Sequence, residues 1–186
     1  MSCALTTGFI LDCKDAIGGV KSVRFTSLTN YTALTATVSS GEVTAFGAAS
    51  TVFYKYDQLK ETSVLTDDIV STVNTGGLHY SPKLTIVLPK LRTAKRNEIK
   101  LLAQNRVVAI VETMDADPTY WVVGAYNGLE LSEGSATTGT AAADLNGYTL
   151  TFMGLETEQV MALNPSSGTI AQMLASITSS TQASMA

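Results

Sequence analysis

The chain has 186 residues and a formal net charge of −4, with 45% hydrophobic residues and only 15% charged ones. That length suits one well-buried domain with tails and leaves little room for two. A charged fraction well under the usual value of about 25%, offset largely by Thr, Ser and Ala, describes a polar but weakly charged surface, as found on β-rich proteins or on subunits covered by their neighbours.

The charge is unevenly distributed along the chain. All 12 Lys and Arg side chains lie at or before Arg106, where they face 8 acidic ones, whereas the last 80 residues hold 8 acids and no base. Separated basic and acidic segments either present complementary faces to other copies of the chain or interleave in one fold and cancel in space. The N-terminus has neither a basic stretch nor an apolar core of signal-peptide type, so synthesis and folding in the cytoplasm are expected. The uncharged run from Gln159 onward is too rich in Ser and Thr for a membrane span. Cys3 and Cys13 belong to no larger cysteine framework and are expected to be free, buried thiols.

Short strands separated by turn signals dominate the pattern. Phe9 to Cys13 and Val20 to Leu28 flank a Gly18-Gly19 pair and predict a hairpin. In its second strand Val23 and Phe25 alternate with Ser22, Arg24 and Thr26, which predicts one buried and one wet face. Tyr31 to Val38 and Thr51 to Tyr56 are expected as strands, Leu59 to Asn74 as a loop or a strand with a long excursion, and His79 to Leu88 as a strand with Leu84, Ile86 and Leu88 on one face. A helix is predicted over Thr93 to Asn105, N-capped by Thr93, with an apolar stripe of Ile99, Leu102 and Ala103. Lys95 and Arg96 in its first turns oppose the helix dipole, which points to a role other than helix stability.

Val107 to Glu112 and Tyr120 to Val123 follow as strands. Asn127-Gly128 and Asn146-Gly147 are turn dipeptides, and the Ser, Gly, Thr and Ala run from Ser132 to Ala143 is expected as a mobile loop or arm. Tyr148 to Phe152 alternates cleanly. Together these elements predict a mainly β (α+β) fold, an antiparallel sandwich or barrel with one flanking helix, over residues 1–163. Residues 164–186 are expected as a Ser/Thr/Ala-rich C-terminal arm in which Thr169 to Ile177 has one or two turns of helical potential and, if ordered, is held by a partner or by the body of the protein.

The residues offer little chemistry. One histidine, His79, excludes multi-histidine metal centres and gives a catalytic triad a single possible base. Asp115-x-Asp117 fits turn geometry, and Asp144-x-Asn146-Gly147 lacks the remaining ligands of a calcium loop. No phosphate-cradling loop appears, and a pI near 4.9 argues against specific nucleic-acid binding by the basic cluster around Lys95. No enzyme, cofactor or metal is expected.

The stretch Ala94-Lys95-Arg96-Asn97-Glu98-Ile99, the strand Arg106 to Glu112, Tyr120-Trp121-Val122-Val123-Gly124, Asn127-Gly128-Leu129-Glu130-Leu131, and Gly139-Thr140 with Asp144 to Phe152 resemble a tailed-phage virion protein. The likeness is to the small ring-forming or tube-like tail proteins of crAss-like phages, and through them to the wider tail-tube group. It covers Leu84 to Leu163 and the strands at Phe9 to Leu28. It implies a sandwich or barrel with a flanking helix, copies that pair strands into a ring around a channel, rings that stack through loops and arms, and a place in the virion tail or head-tail connector. DNA would pass through the bore without specific binding, and other tail or portal-proximal proteins would be neighbours. A clear signal for a long stacking hairpin is missing. On the charge pattern, Lys95, Arg96 and Lys100 are expected to meet Glu130, Glu133, Glu156 or Glu158 of an adjacent subunit. A capsid decoration or head-fibre protein is the alternative within the structural class. A glycan- or receptor-binding sandwich using Tyr120, Trp121 and Tyr126 is the alternative outside it.

Overall fold

The computed structural model describes residues 8, 17–47, 52–72, 74, 76–115 and 119–177. The expected strand at Phe9 to Cys13 and both cysteines lie outside them. The elements are β1 (Val20–Ser27), α1 (Leu28–Leu34), β2 (Thr37–Ser39), β3 (Glu42–Ala45), β4 (Tyr54–Asp57), β5 (Val64–Thr72), β6 (Gly77–Pro89), α2 (Thr93–Gln104), β7 (Val107–Thr113), β8 (Tyr120–Val123), β9 (Glu130–Thr137), β10 (Gly147–Met153), β11 (Met161–Leu163) and α3 (Ile170–Ile177).

These strands form an open two-sheet sandwich, not a closed barrel. A seven-stranded sheet runs β2-β3-β11-β8-β7-β1-β4 and a four-stranded sheet runs β5-β6-β10-β9. All pairs are antiparallel except β11 with β3. The larger sheet is covered on both faces. On one side Val23, Phe25, Ala109 and Val111 meet Leu84, Ile86, Leu150 and Phe152 of the smaller sheet, with Leu102 of α2 closing the end of this core. On the other side Val108, Ile110 and Val122 meet Tyr31 and Leu34 of α1 and Leu174 and Ile177 of α3. This double coverage explains why Val107 to Glu112 is an unbroken buried run, since a strand with core on both faces has no polar alternation to show.

Four local expectations are corrected. Tyr31 lies in helix α1, whose N-cap Ser27 accepts a hydrogen bond from the Asn30 N–H; the apolar contact of Tyr31 and Leu34 with the sheet outweighs the β propensity of its threonines. The supposedly wet face of β1 is buried, with Ser22, Arg24 and Thr26 all under 9% exposed. Helix α2 is preceded by Arg92 without a side-chain cap, so Thr93 is its first residue and not its N-cap. The first half of the run from Ser132 to Ala143 belongs to strand β9, a ladder held by backbone bonds to β10 that needs no apolar side chains, and only the second half is loop. Of the two ways of holding residues 164–177, the structure shows the body. Asn164 and Ser166 donate backbone hydrogen bonds to Val43 and Thr44, and α3 buries Leu174 and Ile177.

Candidate assembly surface

The four-stranded sheet has two long outer strands, the nine residues of β5 and the eight of β9. No strand among the described residues pairs with the outward side of either. Edges of this length are ready templates for another strand, and isolated proteins normally blunt them. Because β5-β6, β6-β10 and β10-β9 are each antiparallel, the two edges run in opposite directions. Laid beside β5 of a second copy, β9 would therefore continue the same antiparallel alternation.

Leu84, Ile86, Leu150 and Phe152 point from this sheet into the core. The registers then place Thr66, Thr85, Thr149, Thr151, Ser135 and Thr137 on the opposite face. The hydroxyls of Thr85 and Thr151 lie 3.3 Å apart. The face thus mixes these hydroxyls with Val87 and with exposed Val64, Val70 and Met153, and its charges are Lys83, Asp68, Glu130 and Glu133.

The uncertain stretch from Leu59 to Asn74 contains β5, which forms a long hairpin with β6. Strands β5 and β6 pair from Val64↔Thr85 to Thr72↔Gly77. Its outer half stands away from the body, leaving Ile69 60% and Leu78 56% exposed. The base is fastened from the other side. Tyr80 and Glu156 exchange backbone hydrogen bonds, Gly154 donates to the Pro82 carbonyl, and Val160 donates to Asp67 Oδ2. The Glu156 carboxylate is 4% exposed and accepts from the N–H groups of Tyr126 and Asn127 at 3.1–3.3 Å. Those donors sit in a turn whose Gly124 and Gly128 take φ of +78° and +83°, a region open to glycine. Burial pushes the Glu156 carboxyl above its ordinary range and Asp67 adds to the rise, opposed by the Asn127, Tyr126 and Gly128 amides.

Glu156 is therefore a correction. It is engaged inside its own subunit and is not available to a neighbour. Glu130 is exposed but pairs with Arg106 of the same chain at 2.7 Å. Lys95 turns its ammonium onto the Pro89 carbonyl, and burial with the nearby Lys90 and Arg92 lowers its pKa. Arg96, Lys100, Glu133 and Glu158 are exposed, and none forms an ion pair among the described residues. The expected set thus separates: the cations share α2, whereas Glu133 sits on β9 and Glu158 in the segment beside the hairpin base.

The charge split is partly neutralised within the fold. Glu112 on β7 binds Lys21 at 2.7 Å through one carboxylate oxygen, and the other accepts from Ser22 at 2.7 Å and Arg24 at 3.3 Å. Burial pushes the Glu112 carboxyl up, but bonds from Lys21 and Ser22 and the charges of Lys21 and Arg24 hold it below its usual range. Bases of the first segment thus meet acids of the second in one molecule, as pairing of β1 with β7 requires. No sequence pattern announced this cluster, because its members are 90 and 88 residues apart.

The other candidates are dispersed. Tyr120 lies under the Arg24 guanidinium, 5.7 Å from it, and packs on the helix-covered core, whereas Trp121 packs on the inter-sheet core. They point to opposite faces, so they form no shared platform with the exposed Tyr126. His79 is half-buried opposite Val70, and its imidazole makes no hydrogen bond or ion pair among the described residues. Asp144 braces its own loop by accepting from the Thr140 and Ala141 amides, and Asp115 accepts from the Ile17 amide. Asp117 lies outside the described residues. No helix among the described residues is long and apolar enough to cross a membrane. No family model, no curated protein and no solved structure matches the chain.

Proposed function

We propose that this chain is a structural, non-enzymatic virion protein of a tailed phage that assembles into a homomeric ring in the tail or head-tail connector, around the channel for DNA. One observation carries the reading: a four-stranded sheet with two long, unpaired edges whose directions allow β9 of one copy to join β5 of the next. Such a contact is heterologous, and heterologous contacts close into rings when the rotation per copy divides a full turn. The joined sheets would turn their hydroxyl-bearing face toward the bore. Thr and Ser there wet the wall without offering phosphates a cluster of cations, so DNA slides without sticking.

The long hairpin adds support, since it supplies the projecting element whose signal the sequence lacked. Native mass spectrometry and electron microscopy of the purified chain, at high protein concentration and low salt, test the reading. Closed rings of one fixed copy number are expected, and a strictly monomeric particle would refute it.

A further inference from the structure

Strand β6 pairs with β10 only as far as Lys83↔Met153, so the part of the β5-β6 hairpin beyond Lys83 leaves its own sheet behind. What fastens it is the seam with residues 154–160, and two carboxylates meet there. Asp67 enters from β5, on the core-facing side of the hairpin with Leu65, opposite Pro82. Its Oδ2 accepts from the Val160 amide, but its Oδ1 is buried with no donor among the described residues. Glu156 enters from the segment after β10, bridged to Tyr80, and is 4% exposed. The groups facing it are Asp67 from β5, Tyr80 from β6, Tyr31 from α1 and Tyr126 from the turn after β8, with Glu158 two residues along its own segment. All of these are acids or phenols, and none is a cation. Burial and then the charge of Asp67 raise the Glu156 carboxyl above its ordinary value of 4.5, only partly offset by the Asn127, Tyr126 and Gly128 amides.

We infer that Asp67 and Glu156 form a carboxylate latch: with one proton on the pair the hairpin lies closed on the body, and with both acids ionised its outer half swings free about Lys83. Two like charges in a seam this dry repel, and opening returns both to water. The closed form binds the proton more tightly than the open form, in which Glu156 regains its ordinary value. Closure is therefore fully favoured below 4.5 and is lost as pH rises through the closed-state value. Each unit between the two values changes the ratio of open to closed hairpin by about tenfold. The device belongs to a single copy of the chain, so it stands or falls independently of the proposed ring.

The experiment uses the full chain with Cys3 and Cys13 replaced by serine, at low protein concentration. One spin label is placed on the hairpin by Leu78→Cys and the second on the body, by Leu101→Cys on α2 or by Val38→Cys on β2; all three positions are exposed and lie outside the seam. Distances between labels are measured by double electron–electron resonance across a pH series starting at about 4.5, and far-UV circular dichroism follows the fold. A single closed distribution is expected at the acid end, with a second, broader one growing as pH rises. Glu156→Gln keeps an acceptor for the turn amides and is expected to stay closed at every pH. Asp67→Asn keeps an acceptor for Val160 and is expected to open less than the parent at any given pH. Distances that ignore pH in both label pairs, or either variant opening as the parent does, overturn the latch. So does a distance change that appears only together with loss of the circular dichroism signal, since that is unfolding of the whole chain.

Discussion

Tyr80 and Glu156 exchange both of their backbone hydrogen bonds, at 2.9 and 2.8 Å, while the carboxylate of the same glutamate holds the turn at Tyr126 and Asn127. One residue thereby ties the base of the β5-β6 hairpin to the larger sheet. Because its pKa is raised in the folded state, Glu156 contributes stability that is fully present below its unfolded value of 4.5 and is lost as pH rises through the folded value. Glu156→Gln cannot titrate. Subtracting the variant's thermal stability from that of the wild type across pH should give a difference that falls as pH rises above 4.5 and then levels off; a flat difference would show that the carboxyl is not perturbed. Glu156→Ala leaves two buried amides without an acceptor and should cost about 1–3 kcal/mol in urea unfolding.

Glu112 has the opposite sign. Its lowered pKa gives stability that is present above its unfolded value of 4.5 and lost as pH falls through the folded value. Glu112→Ala strands the buried Arg24 guanidinium without its counter-charge and should destabilise by about 3–5 kcal/mol. Arg24→Met combined with Glu112→Met should cost less than the sum of the single changes. A double-mutant cycle by chemical denaturation checks this, and strict additivity would mean that the two side chains do not interact.

Phe25 joins the two sheets, with its ring 5.0 Å from Phe152 and 5.5 Å from Tyr56. Phe25→Ala is expected to cost about 3–5 kcal/mol by emptying the centre of the inter-sheet core. Equilibrium unfolding in urea measures it. A cost below about 1 kcal/mol would place the core elsewhere.

Strands whose side chains alternate, or whose apolar run is unbroken, were legible because their faces are decided by burial: Leu84, Ile86 and Leu88 of β6, Tyr148 to Phe152 of β10, and β7. Helix α2 was legible from its periodicity. Strand β9 was not, since an edge strand of Ser, Gly and Thr is held by its backbone ladder and looks like a loop. The hairpin strand β5 was obscured for a related reason, as its outer half buries nothing in the isolated chain. Helix α1 shows tertiary contact overriding propensity. Of the residues expected at a subunit contact, Arg96, Lys100, Glu133 and Glu158 are exposed. The inward turn of Glu156 depends on amides about 29 residues away in sequence, which no local pattern encodes.

A ring built by strand addition requires β9 of one copy to lie against β5 of the next. In a background with Cys3 and Cys13 replaced by serine, Ser135→Cys on β9 combined with either Thr66→Cys or Asp68→Cys on β5 should give disulfide-linked species on mild oxidation. These should form a ladder in denaturing electrophoresis that stops at one fixed copy number, while each single-cysteine variant stays at monomer or dimer. Exclusive dimers from the single variants, or no inter-chain bond in any combination at high protein concentration, would contradict pairing of these two edges.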